Sequence, residues 1–474
     1  IMSTFSRRRF LQHSAAVGAL SLTLPFACAR QPRKPNIIYM LADDLGYGDL
    51  GCYGQEAIQT PHLDQMAAEG MRFTDHYAGS TVCAPSRCCL MTGYHTGHAR
   101  IRGNATVPLR PKDVTIPKVL QPAGYRSALI GKWGLGEAGS TGVPNKQGFD
   151  YFYGYLNQIR AHNYYPEFLW RNDETVELDN EVMYTESGYS KGIGSAAVKK
   201  VDYSHDLFAQ ETLQFVREHA DGPFFLYLAF TIPHANNEHW LLDGHGMEVP
   251  EYGVYADKDW PEAQKGIAAM ITRMDRDIGE LLQTLQELGI DENTLVMFSS
   301  DNGPHREGEN DPDFFNSNGP LRGIKRDLYE GGIRVPLIAR WPGSISAGIT
   351  SDLPSAFWDM LPTFAELADV PVPQDTDGIS MVPTLLGNPR QQKSHEFLYW
   401  EFHEGQTSSQ AVRMGTWKAV RHDPAEALEL YDLEQDIGEQ NNIAEAHPEI
   451  VSKIEEYLRT ARSESEVWPL KSNP

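Results

Sequence analysis

Residues 83–93 have the sequence Cys-Ala-Pro-Ser-Arg-Cys-Cys-Leu-Met-Thr-Gly, and this stretch organises the chain. Pro85 favours a first helical turn, because its φ is already helical and its missing N–H would have no partner there. Gly93 can end that helix. Cys83 would then precede a helix N-terminus, which favours anions. Arg87 lies one helical turn later, beside Cys83. The stretch predicts a thiol in an anion-binding site; a buried cysteine with a solvated arginine is the alternative.

Length and charge narrow the classes of function. With 474 residues, the chain can form two domains, or a large one and a small one. Its formal net charge of -23 repels phosphate backbones, so nucleic acid is not expected as a partner. The five cysteines have neither a C-x-x-C pair nor a zinc-ligand spacing. Cys52, Cys88 and Cys89 are predicted to be buried thiols.

Residues 1–29 are predicted to be an export signal. Three arginines at 7–9 precede Phe-Leu, and the apolar run 15–27 is too short to be a stable membrane span. The pattern resembles a twin-arginine signal, which predicts a periplasmic or secreted protein. A lipid anchor at Cys28 and a disordered basic tail are the alternatives.

Several predicted strands end in residues that can bind ions. Strands are predicted over 36–42, 126–130, 223–230 and 294–299, and the first and third are apolar enough to be buried on both faces. The polar residues at or just after these ends are Asp43, Asp44, Lys132, His234, Asp301 and Asn302. Ligands of open α/β sheets collect at the carboxyl ends of strands, so these side chains are predicted to share one rim. The Asp43-Asp44 pair alone is equally typical of a solvated turn, and a lone histidine after a strand is more often structural.

Helical patterns alternate with these strands as far as about residue 370. They cover 60–69, 114–123, 204–220, 263–288 and 356–368. This alternation predicts an α/β domain over 36–385, with a mostly parallel sheet between helices. After a Pro-, Asp- and Gly-rich connection, short strands and a last helix predict a small antiparallel α+β subdomain over 390–474. Those strands are expected over 397–402, 411–420 and 428–433, and the helix over 448–462.

The motif at Cys83, Cys-x-Pro-Ser-Arg followed by Thr-Gly, resembles the signature of the type I sulfatases. Further similar segments are 41–49, 300–303, 322–325 and 430–433, so the resemblance covers nearly the whole chain. It implies an alkaline-phosphatase-like α/β/α sandwich with a small C-terminal domain. It also implies a sulfuric ester hydrolase whose Cys83 is converted to formylglycine by a formylglycine-generating enzyme. A sulfated saccharide is the implied substrate.

The predicted metal ligands are Asp43, Asp44, Asp301 and Asn302. This all-oxygen set favours Ca²⁺ or Mg²⁺ over zinc. The sulfatase resemblance implies one Ca²⁺ per chain, held by these four residues and by modified Cys83.

The resemblance also implies a catalytic set. Arg87, Lys132 and Lys325 would neutralise the sulfate and the charge that develops during transfer. The leaving alkoxide of a sugar needs a general acid, and His234 is the first candidate.

One position departs from the family pattern. The family motif is Gly-Lys-Trp-His-Leu-Gly, and its histidine helps break down the covalent intermediate. In this chain, Gly134 stands at the position of that histidine. We predict that His305 takes over a polar role, with His98 as the second candidate and a structural role as the alternative for both.

Residues 161–166, Arg102 with Asn104, and 236–240 are candidates for a sugar-binding approach to the site, although they are equally typical of ordinary loops. Two other functions stay open on sequence grounds. One is a phosphate or phosphonate monoester hydrolase of the same superfamily, and the other is an inactive homologue that only binds sulfated glycans.

Overall fold

The computed structural model describes residues 34–473; the predicted export signal and Cys28 lie outside this range. The strands are β1 (Asn36–Ala42), β2 (Met71–Phe73), β3 (His76–Tyr77), β4 (Arg126–Lys132), β5 (Tyr151–Tyr155), β6 (Phe168–Arg171), β7 (Glu174–Glu177), β8 (Glu181–Tyr184), β9 (Ser195–Lys199), β10 (Phe224–Ala229), β11 (Thr294–Ser300), β12 (Leu337–Arg340), β13 (Ile349–Ser351), β14 (Ser355–Ala356), β15 (Leu398–Phe402), β16 (Ser409–Met414), β17 (Trp417–Arg421) and β18 (Glu429–Asp432). The α-helices are α1 (Pro61–Glu69), α2 (Cys83–Thr92), α3 (Ile116–Leu120), α4 (Ser204–Glu218), α5 (Glu262–Glu287), α6 (Glu330–Ile333), α7 (Met360–Leu367), α8 (Val382–Leu385) and α9 (Pro448–Thr460). None of the helices in this range has the length and apolar character needed to cross a membrane.

A ten-stranded sheet forms the centre, in the order β13-β2-β12-β11-β1-β10-β4-β5-β6-β7. Its middle strands, from β11 through β1, β10 and β4 to β5, are all parallel. Antiparallel pairs with β12 and β2 extend one side, and β6 and β7 extend the other. The parallel centre was predicted, whereas the antiparallel pairing at the edges and the strands β2, β6 and β7 were not. Strands such as β7 are short and largely exposed, so they carry no buried apolar pattern.

Helices cover both faces of this sheet. Every residue of β1 is buried. Ile37 and Leu41 belong to a core shared with α2, α3 and α7, while Ile38 and Met40 belong to a second core shared with α1, α4 and α5. Alternate side chains of one strand therefore enter two different cores, which is why its sequence is continuously apolar. The result is the predicted α/β/α sandwich.

The C-terminal part carries the small antiparallel sheet, β15-β16-β17-β18. Gly415 forms the turn that divides the predicted strand 411–420 in two, with a φ of 60°. Helix α9 packs Ile454 and Leu458 into the core of this sheet. The predicted α+β composition is confirmed; the boundary between regions 36–385 and 390–474 stays a prediction.

Helix α2 begins at Cys83, two residues earlier than the predicted start at Pro85. All ten of its residues are buried, and Gly93 ends it in the left-handed region at φ 72°. Cys88 and Cys89 are buried as predicted. The prediction for Cys52 is wrong, since it lies in a one-turn 3-10 segment (Gly51–Tyr53) and is only partly buried.

Candidate active site

Two acidic segments meet at the carboxyl ends of neighbouring strands. Ala42 of β1 is in register with Ser300 of β11, so the residues that follow each strand lie side by side. The backbone N–H of Asp44 donates to Oδ1 of Asp301 at 3.1 Å, and Nδ2 of Asn302 donates to Oδ1 of Asp44 at 2.7 Å. Asp44 has a φ of 65°, a conformation that is uncommon for a residue other than glycine. In this conformation its carboxylate accepts from both Asn302 and Lys325.

The donor set fits a hard divalent cation. Oδ1 of Asp43 and Oδ1 of Asn302 are buried without a hydrogen-bond partner in the described part of the chain. Ligand atoms of Asp43, Asp44, Cys83 and His234 lie within 4.8 Å of one another. Buried oxygens that lack partners are costly unless something neutralises them. A hard divalent cation bound by carboxylate and amide oxygens would satisfy that requirement.

Arg87 is fully buried in this cluster, so the alternative of a solvated arginine is wrong. Its Nε and Nη2 donate to Oδ2 of Asp301 at 3.0 and 2.8 Å, and its Nη1 donates to the carbonyl of Lys132 at 2.9 Å. Burial, together with the charge of Asp43, raises the pKa of Asp301 to about 7. The arginine links α2, the helix that begins at Cys83, to the acidic segment after β11.

Two lysines flank the acidic pair. Lys132, the last residue of β4, donates from Nζ to Oδ2 of Asp43 at 2.6 Å. Lys325 donates from Nζ to Oδ2 of Asp44 at 2.7 Å and to Oε2 of Glu307 at 3.1 Å. Each aspartate therefore has its own ammonium group, which leaves a compact set of alternating charges.

Cys83 lies against this charge cluster and lines a cavity of about 780 Å³. Its side chain is nearly enclosed, with 4% of the residue exposed. Burial, reinforced by the nearby carboxylates, holds the pKa of the thiol well above its usual range. An unmodified Cys83 therefore stays protonated and is a poor nucleophile.

His234 lines the same cavity. Its Nδ1 donates to the carbonyl of Ala235 at 2.6 Å, so Nε2 carries the lone pair. Nε2 accepts from Nζ of Lys325 at 3.1 Å and lies 3.4 Å from Oδ2 of Asp44. Burial and the charge of Lys325 lower the pKa of His234 to about 3, which favours a neutral ring.

His305 lies behind His234, with ring centroids 5.8 Å apart, and is not among the residues that line the cavity. Its Nδ1 accepts from the N–H of Glu307 at 3.0 Å, and its Nε2 donates to the carbonyl of Pro233 at 3.3 Å. Both ring nitrogens are engaged by the backbone, which supports positioning rather than contact with substrate. His98 lies outside the cavity as well, paired with Asp377 at 2.9 Å.

The glycine that replaces the family histidine leaves no room for a side chain. Gly134 has a φ of 82°, and a Cβ built there would lie 2.6 Å from Cγ of Gln158. Gln158 itself lines the cavity, beside Asn104. A glutamine therefore packs against the site where the motif departs from the family pattern.

The predicted substrate loops contribute in part. Asn104, His162 and Asn237 line the cavity. Arg102 does not; it is buried and donates to Oε1 of Glu401 at 2.7 Å. The cavity residues missed from the sequence include Glu137, Tyr189, Glu307, Arg326 and Glu404. They come from loops at no fixed spacing from a strand end, so no local pattern marks them.

Comparisons with known proteins agree with this geometry. A sequence profile described as Sulfatase matches residues 35–370. The chain belongs to the sulfatase family. A second profile, N-sulphoglucosamine sulphohydrolase, C-terminal, matches residues 324–464 of this sulfatase.

Named relatives are sulfatases as well. The N-acetylgalactosamine-6-O-sulfatase of Bacteroides thetaiotaomicron is 31% identical over 91% of this chain and 94% of its own length. Human arylsulfatase A is 32% identical over 90% of this chain and 87% of its own. Among solved structures, Ps i-CgsB in complex with k-i-k-neocarrahexaose superposes with a TM-score of 0.76 at 28% identity, covering 93% of this chain and 95% of that one. The protein is thus a sulfatase enzyme with the alkaline-phosphatase-like fold.

Proposed function

We propose that this sulfatase removes sulfate from a sulfated carbohydrate, using formylglycine at position 83 and one Ca²⁺. The observation that carries the proposal is the place of Cys83 in the cavity, beside the Lys132–Asp43 and Lys325–Asp44 pairs. A tetrahedral anion next to residue 83 would meet two ammonium groups. Such a preorganised set of charges stabilises the charge that develops in sulfuryl transfer.

Asp43, Asp44, Asp301, Asn302 and residue 83 are the proposed ligands of Ca²⁺. The unpartnered Oδ1 atoms of Asp43 and Asn302 support this assignment. When bound, the ion would act as a Lewis acid towards a sulfate oxygen.

Conversion of Cys83 to formylglycine is supported by the signature motif. The hydrated aldehyde would supply an oxygen nucleophile and a second hydroxyl for release of sulfate, neither of which a thiol offers. A formylglycine-generating enzyme is the proposed maturation partner.

The remaining roles belong to side chains of the chain itself. Arg87 holds Asp301 in place through two hydrogen bonds, and Lys132 and Lys325 bind sulfate oxygens. When the bond between sulfur and the sugar oxygen breaks, that oxygen takes up a proton. The ammonium group of Lys325 is the proposed donor, because the neutral ring of His234 accepts from it through Nε2 and has no proton to give there. His234, the first candidate from the sequence, then positions that ammonium group, and His305 holds His234 from behind. The proton thus comes from the cavity wall rather than from bulk water.

A carbohydrate is favoured by the cavity wall and by the relatives. Amide side chains of Asn104, Asn157, Gln158 and Asn237 line the wall and suit sugar hydroxyls. One relative is named for N-acetylgalactosamine, and a structural neighbour holds a neocarrahexaose. The basic and apolar composition of residues 1–29 supports export, to the periplasm or outside the cell.

The test compares turnover of 4-nitrophenyl sulfate and 4-nitrophenyl phosphate by protein made together with a formylglycine-generating enzyme. Faster sulfate turnover that is lost in Cys83→Ala and in chelator supports the proposal. Faster phosphate turnover would favour a phosphate or phosphonate monoester hydrolase. Binding of sulfated glycan without turnover, by protein whose residue 83 is shown by mass spectrometry to be an aldehyde, would favour an inactive binder.

A further inference from the structure

A second histidine lies in the cavity wall beside His234. His162 is 7% exposed, and its ring stacks on that of His234 with centroids 4.9 Å apart and an angle of 12°. Its Nδ1 lies 2.9 Å from Oε2 of Glu238, a carboxylate that is 1% exposed. The pair joins the segment after β5 to the segment after β10, so two separate loops hold one imidazole.

The pairing fixes which nitrogen of His162 is free. A carboxylate oxygen can only accept, so Nδ1 carries the hydrogen and donates it to Glu238. Within residues 34–473, Nε2 has no hydrogen-bond partner, and the residue lines the cavity. The ring therefore offers a single, oriented polar atom for a bound molecule.

The charged groups around the cavity are largely paired with one another. Arg326 donates to Oε1 of Glu307 at 2.6 Å and to Oε2 of Glu404 at 3.2 Å, and Lys325 is bound to Asp44 and Glu307. Glu137, in contrast, has only the amide of Asn157 as its hydrogen-bond donor. Beyond the sulfate position, the described wall therefore offers no unpaired cation for a second anion. A carboxylate on the sugar would be repelled by Glu137, which forms no ion pair within residues 34–473.

We propose that this side of the cavity binds an uncharged sugar, and that Nε2 of His162 hydrogen-bonds a hydroxyl of the sugar that bears the sulfate. The inference deepens the proposed function and rests on it. His162 is one stacked ring away from His234, which contacts Lys325 at the sulfate position, so the group that meets Nε2 belongs to the sulfated sugar itself. Glu238 is a positioning residue that holds the imidazole in the required tautomer.

The test uses two variants that separate the two ring nitrogens. His162→Asn retains a donor for Glu238 but has no atom at the Nε2 position, whereas His162→Gln retains an atom near Nε2 but gives up the contact with Glu238. Each is assayed on 4-nitrophenyl sulfate, on monosulfated galactose, glucose and their N-acetylamino sugars, and on iduronate 2-sulfate. Deoxy analogues of the best sugar substrate remove its hydroxyls one at a time.

We expect His162→Asn to lower kcat/KM by about tenfold or more on the best neutral sugar, and by a clearly smaller factor on the aryl sulfate, which has no sugar hydroxyl to bind. His162→Gln is expected to be less impaired on that sugar. One deoxy analogue should be turned over equally by the wild type and by His162→Asn, because the hydroxyl that Nε2 binds is then absent.

Three results would overturn the inference. The first is a loss on every deoxy analogue, which would make His162 a proton donor or a structural residue. The second is an equal loss on the aryl sulfate. The third is turnover of iduronate 2-sulfate as fast as that of the best neutral sugar, or turnover of the aryl sulfate without turnover of any neutral sugar. Failure of the wild type on aryl sulfate as well as on every sugar would instead contradict the proposed function.

Discussion

Arg87 donates two hydrogen bonds to one oxygen atom, Oδ2 of Asp301, and both side chains are inaccessible to solvent. The contact spans 214 residues of sequence and joins helix α2 to the segment that follows β11. A planar guanidinium fits this fork, whereas an ammonium does not. This ion pair therefore ties helix α2, which begins at Cys83, to the acidic cluster.

Arg87→Lys is expected to lower kcat on 4-nitrophenyl sulfate by more than about tenfold, because the fork is lost and Asp301 can shift. Arg87→Ala is expected to destabilise the fold by about 3–5 kcal/mol, since it leaves a buried carboxylate without its partner. Denaturant unfolding measures the second effect. Arg340→Lys is the matched control, because Arg340 forms a bidentate ion pair with Asp291 away from the cavity. This variant should be less stable than the wild type but have the same kcat.

Removal of calcium is expected to abolish turnover and to lower the unfolding temperature, and Ca²⁺ should restore both. At a Ca²⁺ concentration of 100 times the dissociation constant, the gain is about 2.7 kcal/mol. Asp43→Asn should weaken Ca²⁺ binding, as measured by calorimetry. Asp275→Asn removes a buried carboxylate that binds the start of α1 and should leave Ca²⁺ affinity unchanged. Equal Ca²⁺ affinity of Asp43→Asn and the wild type would contradict the ligand assignment.

Gly134→Ala is expected to destabilise the protein more than Gly139→Ala. Both glycines have a φ near 80°, so both substitutions carry the backbone cost of about 1–2 kcal/mol. Only at Gly134 does the new Cβ also meet Gln158, whereas the space around Gly139 is open. The double variant Gly134→Ala, Gln158→Ala should unfold at about the same temperature as Gly139→Ala, because the new Cβ then no longer meets Gln158. Equal destabilisation of the two single variants would show that Gln158 moves away freely.

Glu401→Gln is expected to lower stability by about 3 kcal/mol at neutral pH and by much less near pH 2. Burial opposes ionisation of Glu401, but His403, Arg102 and Arg462 lower its pKa from 4.5 to about 2. Its folded pKa lies below the unfolded value, so its contribution is present above about pH 4.5 and is lost as the pH falls towards 2.

Denaturant unfolding of the wild type and Glu401→Gln across this pH range measures that contribution. The exposed Glu396 gives the control, because Glu396→Gln should change stability by less than about 0.5 kcal/mol at any pH. A pH-independent difference for Glu401→Gln would contradict the assignment.

The sequence predicted the parts of the fold that carry strong local patterns. Strand β1 is buried on both faces, so its apolar run and its end at Asp43 were visible without a structure. The same holds for most of α2, because Pro85 marks its first turn and Gly93 its end, although the helix begins two residues before Pro85. Tertiary contacts decided the rest. Glu238, 76 residues away, orients His162 through a hydrogen bond. Arg102 is bound instead to Glu401, 299 residues away, and so does not line the cavity. No local spacing encodes such partners.

Burial of α2 has a consequence for how the enzyme is made. The helix has no exposed residue, and Cys83 at its first turn is shielded by the sheet edge and by the charged cluster. The proposed conversion of Cys83 to formylglycine would therefore have to occur before this helix is buried. We expect a chain that folds first to keep an unmodified thiol at position 83 and to be inactive.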